Sequence, residues 1–170
     1  MNIVLTGFMA TGKTVISKEL AKLLDRKLLD TDEMIVEAAQ MSINDIFAKH
    51  GEEYFRQLEK EIIKKASESR DAVISTGGGV VLNADNIEQL RINGKIVNLS
   101  PEFEVIKERI ELASKTRPLM NGKSIEEIEK LFNYRKSFYD NCDVKIKVTN
   151  NKSPKEYAEE IVKVLGDDIK

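Results

Sequence analysis

An apolar stretch at Asn2–Thr6 runs straight into Gly7-Phe8-Met9-Ala10-Thr11-Gly12-Lys13-Thr14, and Ile16, Leu20, Leu23 and Leu24 then follow at helical spacing. No other pattern in the chain limits the fold so tightly. The eight residues satisfy G-x-x-x-x-G-K-[ST], and a strand before with a helix after is the context that pattern requires. Its glycines let backbone N–H groups turn inward around phosphate oxygens, and the helix N-terminus adds partial positive charge. Gly7, Ala10, Thr11, Gly12, Lys13 and Thr14 are therefore expected to hold the phosphates of a nucleotide. The Lys13 ammonium would reach the β- and γ-phosphates, and the Thr14 hydroxyl would ligate Mg²⁺. A glycine turn with a chance lysine is the bland alternative, and the two flanking elements weigh against it. The loop says nothing about the acceptor.

Further along, Lys27–Leu29, Ala72–Ser75, Lys95–Leu99 and Val144–Val148 read as short, mostly buried strands. Between them Ile62, Ile63 and Ala66, and later Ile125, Ile128, Leu131 and Phe132, repeat at helical period. Ser124 with Glu127 and Ser153 with Glu156 match the capping box, and Ser42 with Asp45 is a weaker form. Ser100-Pro101 and Ser153-Pro154 are read as placing proline at the first helical position, and Gly166 as a C-terminal cap. Strand–helix repetition predicts an α/β fold, a parallel sheet with helices on both faces and ligands at the carboxyl ends of its strands. The loop after Thr6, the pair Asp30/Asp32 and the triplet Gly77–Gly79 all fall at such ends. Ala113–Lys123 is polar, holds Pro118 and Gly122, and reads as a mobile flap between two helices.

Composition removes several function classes. At 170 residues, 41% hydrophobic and 33% charged, the chain fits one globular domain, 1–170. A net charge of −2 gives no basic field for nucleic acid, so the arginines are read one by one. A single histidine, His50, argues against a histidine metal cluster or a Ser/His/Asp triad, and the single Cys142 is read as an inert thiol. No apolar run approaches about 18 residues, and no secretion signal is visible at the N-terminus. The expectation is a cytoplasmic protein that meets neither nucleic acid nor membrane.

Leu28-Leu29-Asp30-Thr31-Asp32 puts two carboxylates just past a buried strand, where strand alternation would aim both the same way. The third strand ends in Ser75-Thr76, so Asp30 is the better metal candidate, and Asp32 could accept a proton from an attacking hydroxyl. Standing alone, such a pair is often a helix cap. Gly77-Gly78-Gly79 allows close approach of a ligand to backbone, though a plain loop can look the same. Glu59, three residues after Arg56, could brace its guanidinium, and Tyr139 lies four residues beyond Arg135.

Taken in order, the phosphate loop, Asp30-Thr31-Asp32, Phe55-Arg56-x-x-Glu59, Gly77-Gly78-Gly79, Arg117-Pro118-Leu119 and Tyr134-Arg135-x-x-x-Tyr139 resemble the shikimate kinase family along nearly the whole chain. The resemblance implies a P-loop kinase of the nucleoside monophosphate kinase-like type, with a five-stranded parallel sheet flanked by helices. It implies a substrate-binding helical region at about 33–61 and a lid at about 113–124. It also implies ATP-dependent phosphorylation of the shikimate 3-hydroxyl in aromatic amino-acid biosynthesis, with Mg²⁺ as cofactor and a monomeric enzyme. By position, Asp32 corresponds to the hydroxyl-side carboxylate and Asp30, with Thr14, to the Mg²⁺ side. Arg56, Arg135 and the Gly77–Gly79 backbone correspond to the shikimate contacts, and Lys13 and Arg117 to the cations on the transferring phosphate. The family often places an adenine-stacking arginine seven residues before the lid arginine. Here that position is Ile110, so its neighbour Arg109 is read as the substitute, with Pro154 on the other face of the base. Gluconate and nucleoside monophosphate kinases are the enzyme alternatives, and a nucleotide-sensing module without catalysis is the alternative of another class.

Overall fold

The computed structural model describes residues 1–114 and 122–169, less the side chains at 114, 167 and 168. Strands β1 (Asn2–Gly7), β2 (Lys27–Asp30), β3 (Ala72–Ser75), β4 (Gly94–Pro101) and β5 (Val144–Val148) form one sheet in the order β2-β3-β1-β4-β5. Every neighbouring pair is parallel, as the strand–helix alternation requires. The helices are α1 (Lys13–Leu24), α2 (Thr31–Ala39), α3 (Ile43–Ser67), α4 (Ala84–Ile92), α5 (Phe103–Ser114), α6 (Ile125–Arg135) and α7 (Pro154–Leu165).

The central strand β1 is buried along its whole length, which is why it reads as a continuous apolar run. Its alternation still sorts two layers. Ile3 and Leu5, with Val73, Val97 and Leu99, pack against Ile16 and Leu20 of α1 and Tyr157 and Ile161 of α7. Val4, Ile74 and Ile96 face the other way, onto Ile63 of α3, Leu90 of α4, Ile106 of α5 and Phe132 of α6. A smaller cluster of Ile35, Ile46, Phe55 and Ile62 holds α2 against α3. Gly51, at φ 82 and ψ 175, breaks α3 into segments 43–50 and 52–67, so the helices around the expected substrate region turn as they cross the cleft.

Ser42, Ser124 and Ser153 are N-caps, the last two with complete capping boxes, and Gly166 closes α7 at φ 54. Two details differ from the sequence reading. Pro101 ends β4 instead of opening a helix, pairing with Val148 of β5, while α5 begins at Phe103. The last residue of β4 paired with β1 is Leu99, so beyond it the missing proline N–H breaks no bond on that side. Leu23 is 46% exposed, because the buried face of α1 runs through Ile16, Ser17, Leu20 and Ala21 and leaves it to one side. Residues 115–121, which carry Arg117 and most of the expected lid, lie outside the described residues.

Candidate active site

Every helix start described with a side-chain cap is closed to ligands at that point; α1 is different. Asp30, Ser42, Asn83, Ser124 and Ser153 each accept an N–H at the start of α2, α3, α4, α6 and α7. At the start of α1 stands Gly12, at φ 92, with no side chain to offer and no acid in the first turn. Donors left open there suit a phosphate. Ala10, the residue before Thr11, is held at φ 58, a conformation that L-residues adopt at some cost. Lys13 folds back over this loop and donates to the carbonyls of Gly7 (2.6 Å) and Phe8 (2.9 Å). Loss of water around its ammonium pushes its pKa down to about 8, against the pull of Asp32 and Asp30.

Asp30 is the last residue of β2 and also the cap of α2, where its Oδ1 accepts from the N–H groups of Asp32 (3.0 Å) and Glu33 (3.3 Å). The helix-cap reading of the pair is thus realised for Asp30, while its second oxygen takes no part in the cap. The strand-parity argument does not survive. The strand stops at Asp30, and Asp32 enters the cleft from the first turn of α2. Burial, and then the neighbouring Asp30 charge, push the Asp32 pKa up against the opposing Lys13 and Arg56.

The glycine triplet has a steric reason. A Cβ on Gly77 would stand 2.7 Å from Asp32 Oδ1, and one on Gly79 would stand 2.5 Å from Arg56 Nη1. The loop therefore makes room for two of the expected site residues. Its first N–H is not free for a ligand, because Gly77 donates to the Thr31 hydroxyl (3.2 Å). Arg56 is braced as the spacing predicts, with Nη1 2.8 Å from Glu59 Oε2 and Nη2 3.5 Å from Glu52 Oε1. Glu59 is 2% exposed, and burial pushes its carboxyl up against the Arg56 charge. Arg135 closes α6, and its buried Nε has no hydrogen-bond partner among the described residues. A buried donor atom left without a partner marks a place for an acceptor atom from outside.

Lys13, Thr14, Asp30, Asp32, Arg56 and Arg135 line one cleft of about 770 Å³ at the carboxyl ends of β1, β2 and β3, together with Gly77–Gly79. That lies within the usual range for ligand pockets. Arg109 stands behind the phosphate loop and outside the cleft lining. Its Nη1 donates to the carbonyls of Ala10 (3.0 Å) and Thr11 (2.9 Å), its Nη2 to Thr149 (3.0 Å) and its Nε to Asn150 Oδ1 (2.9 Å). Ile110, at the position where the family often has its arginine, is 2% exposed in the core and cannot meet a base. Pro154 opens α7 just beyond that Thr149–Asn150 segment. Arg117 lies outside the described residues.

Sequence reasoning left two hydroxyls without a role. Thr31 had no signal beyond standing between the aspartates; Tyr139 was visible only as part of a motif, and its hydroxyl donates to the Gly78 carbonyl (2.5 Å). Half-buried Cys142 has its pKa raised by burial, in keeping with an inert thiol. Among the described residues, no group of three or more His, Cys, Asp or Glu could hold a metal by itself, and no helix is long and apolar enough to cross a membrane.

Comparison with known proteins gives one consistent answer. A family model described as shikimate kinase matches residues 9–166. A shikimate kinase of Caldanaerobacter subterraneus is 48% identical over 163 residues, covering 95% of this chain and 94% of that one. Among solved structures, shikimate kinase from Acinetobacter baumannii in complex with shikimate superimposes with a TM-score of 0.86 at 31% identity, covering 96% of this chain and 92% of that one. Shikimate kinase from Aquifex aeolicus gives 0.83 at 39% identity, covering 97% and 96%.

Proposed function

This chain belongs to the shikimate kinase family, and on that premise we propose how its own residues transfer a phosphoryl group from ATP to the 3-hydroxyl of shikimate. The products are shikimate 3-phosphate and ADP, in the shikimate pathway of aromatic amino-acid biosynthesis. The gluconate and nucleoside monophosphate alternatives are not favoured.

The observation that carries the site reading is the convergence of Arg56 and Arg135 on the cleft that Lys13 and Asp32 also line. Shikimate carries a carboxylate two ring atoms from its reacting hydroxyl, and guanidinium groups bind a carboxylate through paired hydrogen bonds. Arg56 is held by Glu59, and Arg135 has an unpartnered buried donor to offer. Anchored there, the ring presents its 3-hydroxyl toward Asp32. Lys13 exchanges its two carbonyl contacts for phosphate oxygens. Transfer through a loose transition state needs mainly positioning and charge neutralisation, with Asp32 orienting the hydroxyl and taking its proton.

The residues present fit Mg²⁺. Thr14 and the uncommitted oxygen of Asp30 offer oxygen ligands in the cleft, and magnesium usually completes its shell with phosphates and water. When bound, Mg²⁺ neutralises phosphate charge. For the base, Arg109, held by four hydrogen bonds, would supply one stacking face and Pro154 the other. The reading extends to a monomer working in the cytoplasm.

The test is ADP formation with ATP and Mg²⁺, comparing shikimate with gluconate, AMP and no acceptor. Shikimate alone should support turnover. Equal or greater turnover with gluconate or AMP would overturn the acceptor assignment.

A further inference from the structure

Tyr139 stands in a single turn, Phe138–Asp140, just past α6, with its ring in the core and 6% of its surface exposed. A packing role would need only the ring. Its hydroxyl, however, donates to the Gly78 carbonyl (2.5 Å), sixty-one residues away in sequence. At the start of the same loop, Gly77 N–H is held by Thr31. The glycine triplet is thus pinned from two elements at once.

The phenol also has charged neighbours. Arg135 and Arg56 bear on it, both cations and both lining the cleft. Burial outweighs them and pushes the Tyr139 pKa up to about 12, so the proton given to Gly78 stays in place at neutral pH. With its one proton committed, the oxygen can meet Arg135, whose charge bears on it, only as an acceptor. A Cβ added at Gly78 would lie 3.8 Å from Arg135 Nη1, so the guanidinium stands close beside the loop.

We propose that Tyr139 is a positioning residue for the acceptor, its hydroxyl fixing the Gly78 peptide and the Arg135 guanidinium in one arrangement. Backbone and cation then meet the ring and its carboxylate together. The inference rests on the reading of Arg135 as the carboxylate anchor.

Tyr139→Phe removes the hydroxyl and keeps the ring. With shikimate and ATP varied separately, the KM for shikimate should rise about tenfold, the worth of roughly one well-placed hydrogen bond to the acceptor. The KM for ATP and the ligand-free Tm should stay near those of the wild type, while the Tm gain on adding shikimate shrinks. In an Arg135→Lys background the same change should cost less than it does alone, because both act on one contact. An unchanged KM for shikimate would overturn the proposal, as would full additivity with Arg135→Lys. A parallel rise of both KM values with a lowered Tm, or failure of the variant to fold, would assign the hydroxyl a purely structural role and overturn it too. A wild type that makes no shikimate-dependent ADP refutes the acceptor assignment itself, and so is distinct from each of these.

Discussion

At the scale of single residues, the proposed reaction turns on Asp32, which is also where the charges are in tension. Burial and the Asp30 charge both oppose its ionisation, with Lys13 and Arg56 opposing them in turn. Asp32→Asn keeps the shape and removes the proton acceptor, so kcat should fall by about 10²–10⁴. The folded protein should be no less stable, since a neutral amide relieves a desolvated charge. A carboxyl whose pKa is raised must lose its proton before it can take another, so wild-type activity should climb with pH along an acid limb. That limb should be missing from Asp32→Asn. Near-normal turnover with only a changed Mg²⁺ requirement would instead exchange the roles of Asp30 and Asp32. Much of this was legible in the sequence, because Lys13, Thr14 and Gly12 sit in a pattern whose spacing is itself the mechanism. The Asp30 cap, a local contact, stood among the alternatives; the hydroxyls of Thr31 and Tyr139 on the glycine loop did not. Both of those depend on contacts between segments, 46 and 61 residues apart.

At the scale of elements, the glycine triplet acts as clearance between α2, α3 and the sheet. Gly79 takes no left-handed backbone conformation; what it lacks is the Cβ that would press on the Arg56 guanidinium at 2.5 Å. Gly79→Ala should therefore leave Tm nearly unchanged, because the far end of a long side chain gives way cheaply. Displacing Arg56 from its Glu59 brace should still raise the KM for shikimate by roughly ten- to hundredfold, without touching the KM for ATP. Equal loss toward both substrates, measured by steady-state kinetics, would assign the glycine to loop folding. The sequence signalled a close approach here but not what approaches. Helix starts were readable wherever a serine and a glutamate made a box. The Ser100-Pro101 signal misled, because a strand edge unpaired on one side accepts proline as readily as a helix start does.

At the scale of the molecule, the order β2-β3-β1-β4-β5 decides where everything meets. It sets β1 in the middle with β3 beside it and β2 next, so the phosphate loop, the glycine triplet and the aspartates arrive at one rim. Alternating strands and helices gave the parallel sheet from sequence alone, and the ordered motifs gave its family. The kinked course of α3, which brings Arg56 over the rim, depends on Gly51, which no motif marks. The central claim is that two guanidinium groups choose the acceptor by its carboxylate, and Arg135→Lys tests it most directly. Lysine keeps the charge and loses the paired geometry, leaving a partly desolvated anion short of a partner, at a cost on the order of 2–5 kcal/mol. The apparent KM for shikimate should rise roughly 30-fold or more, the KM for ATP should stay within about twofold, and a shikimate analogue lacking the carboxylate should lose little further. Loss of ATP affinity in its place, or wild-type discrimination between the acid and the analogue, would contradict the account.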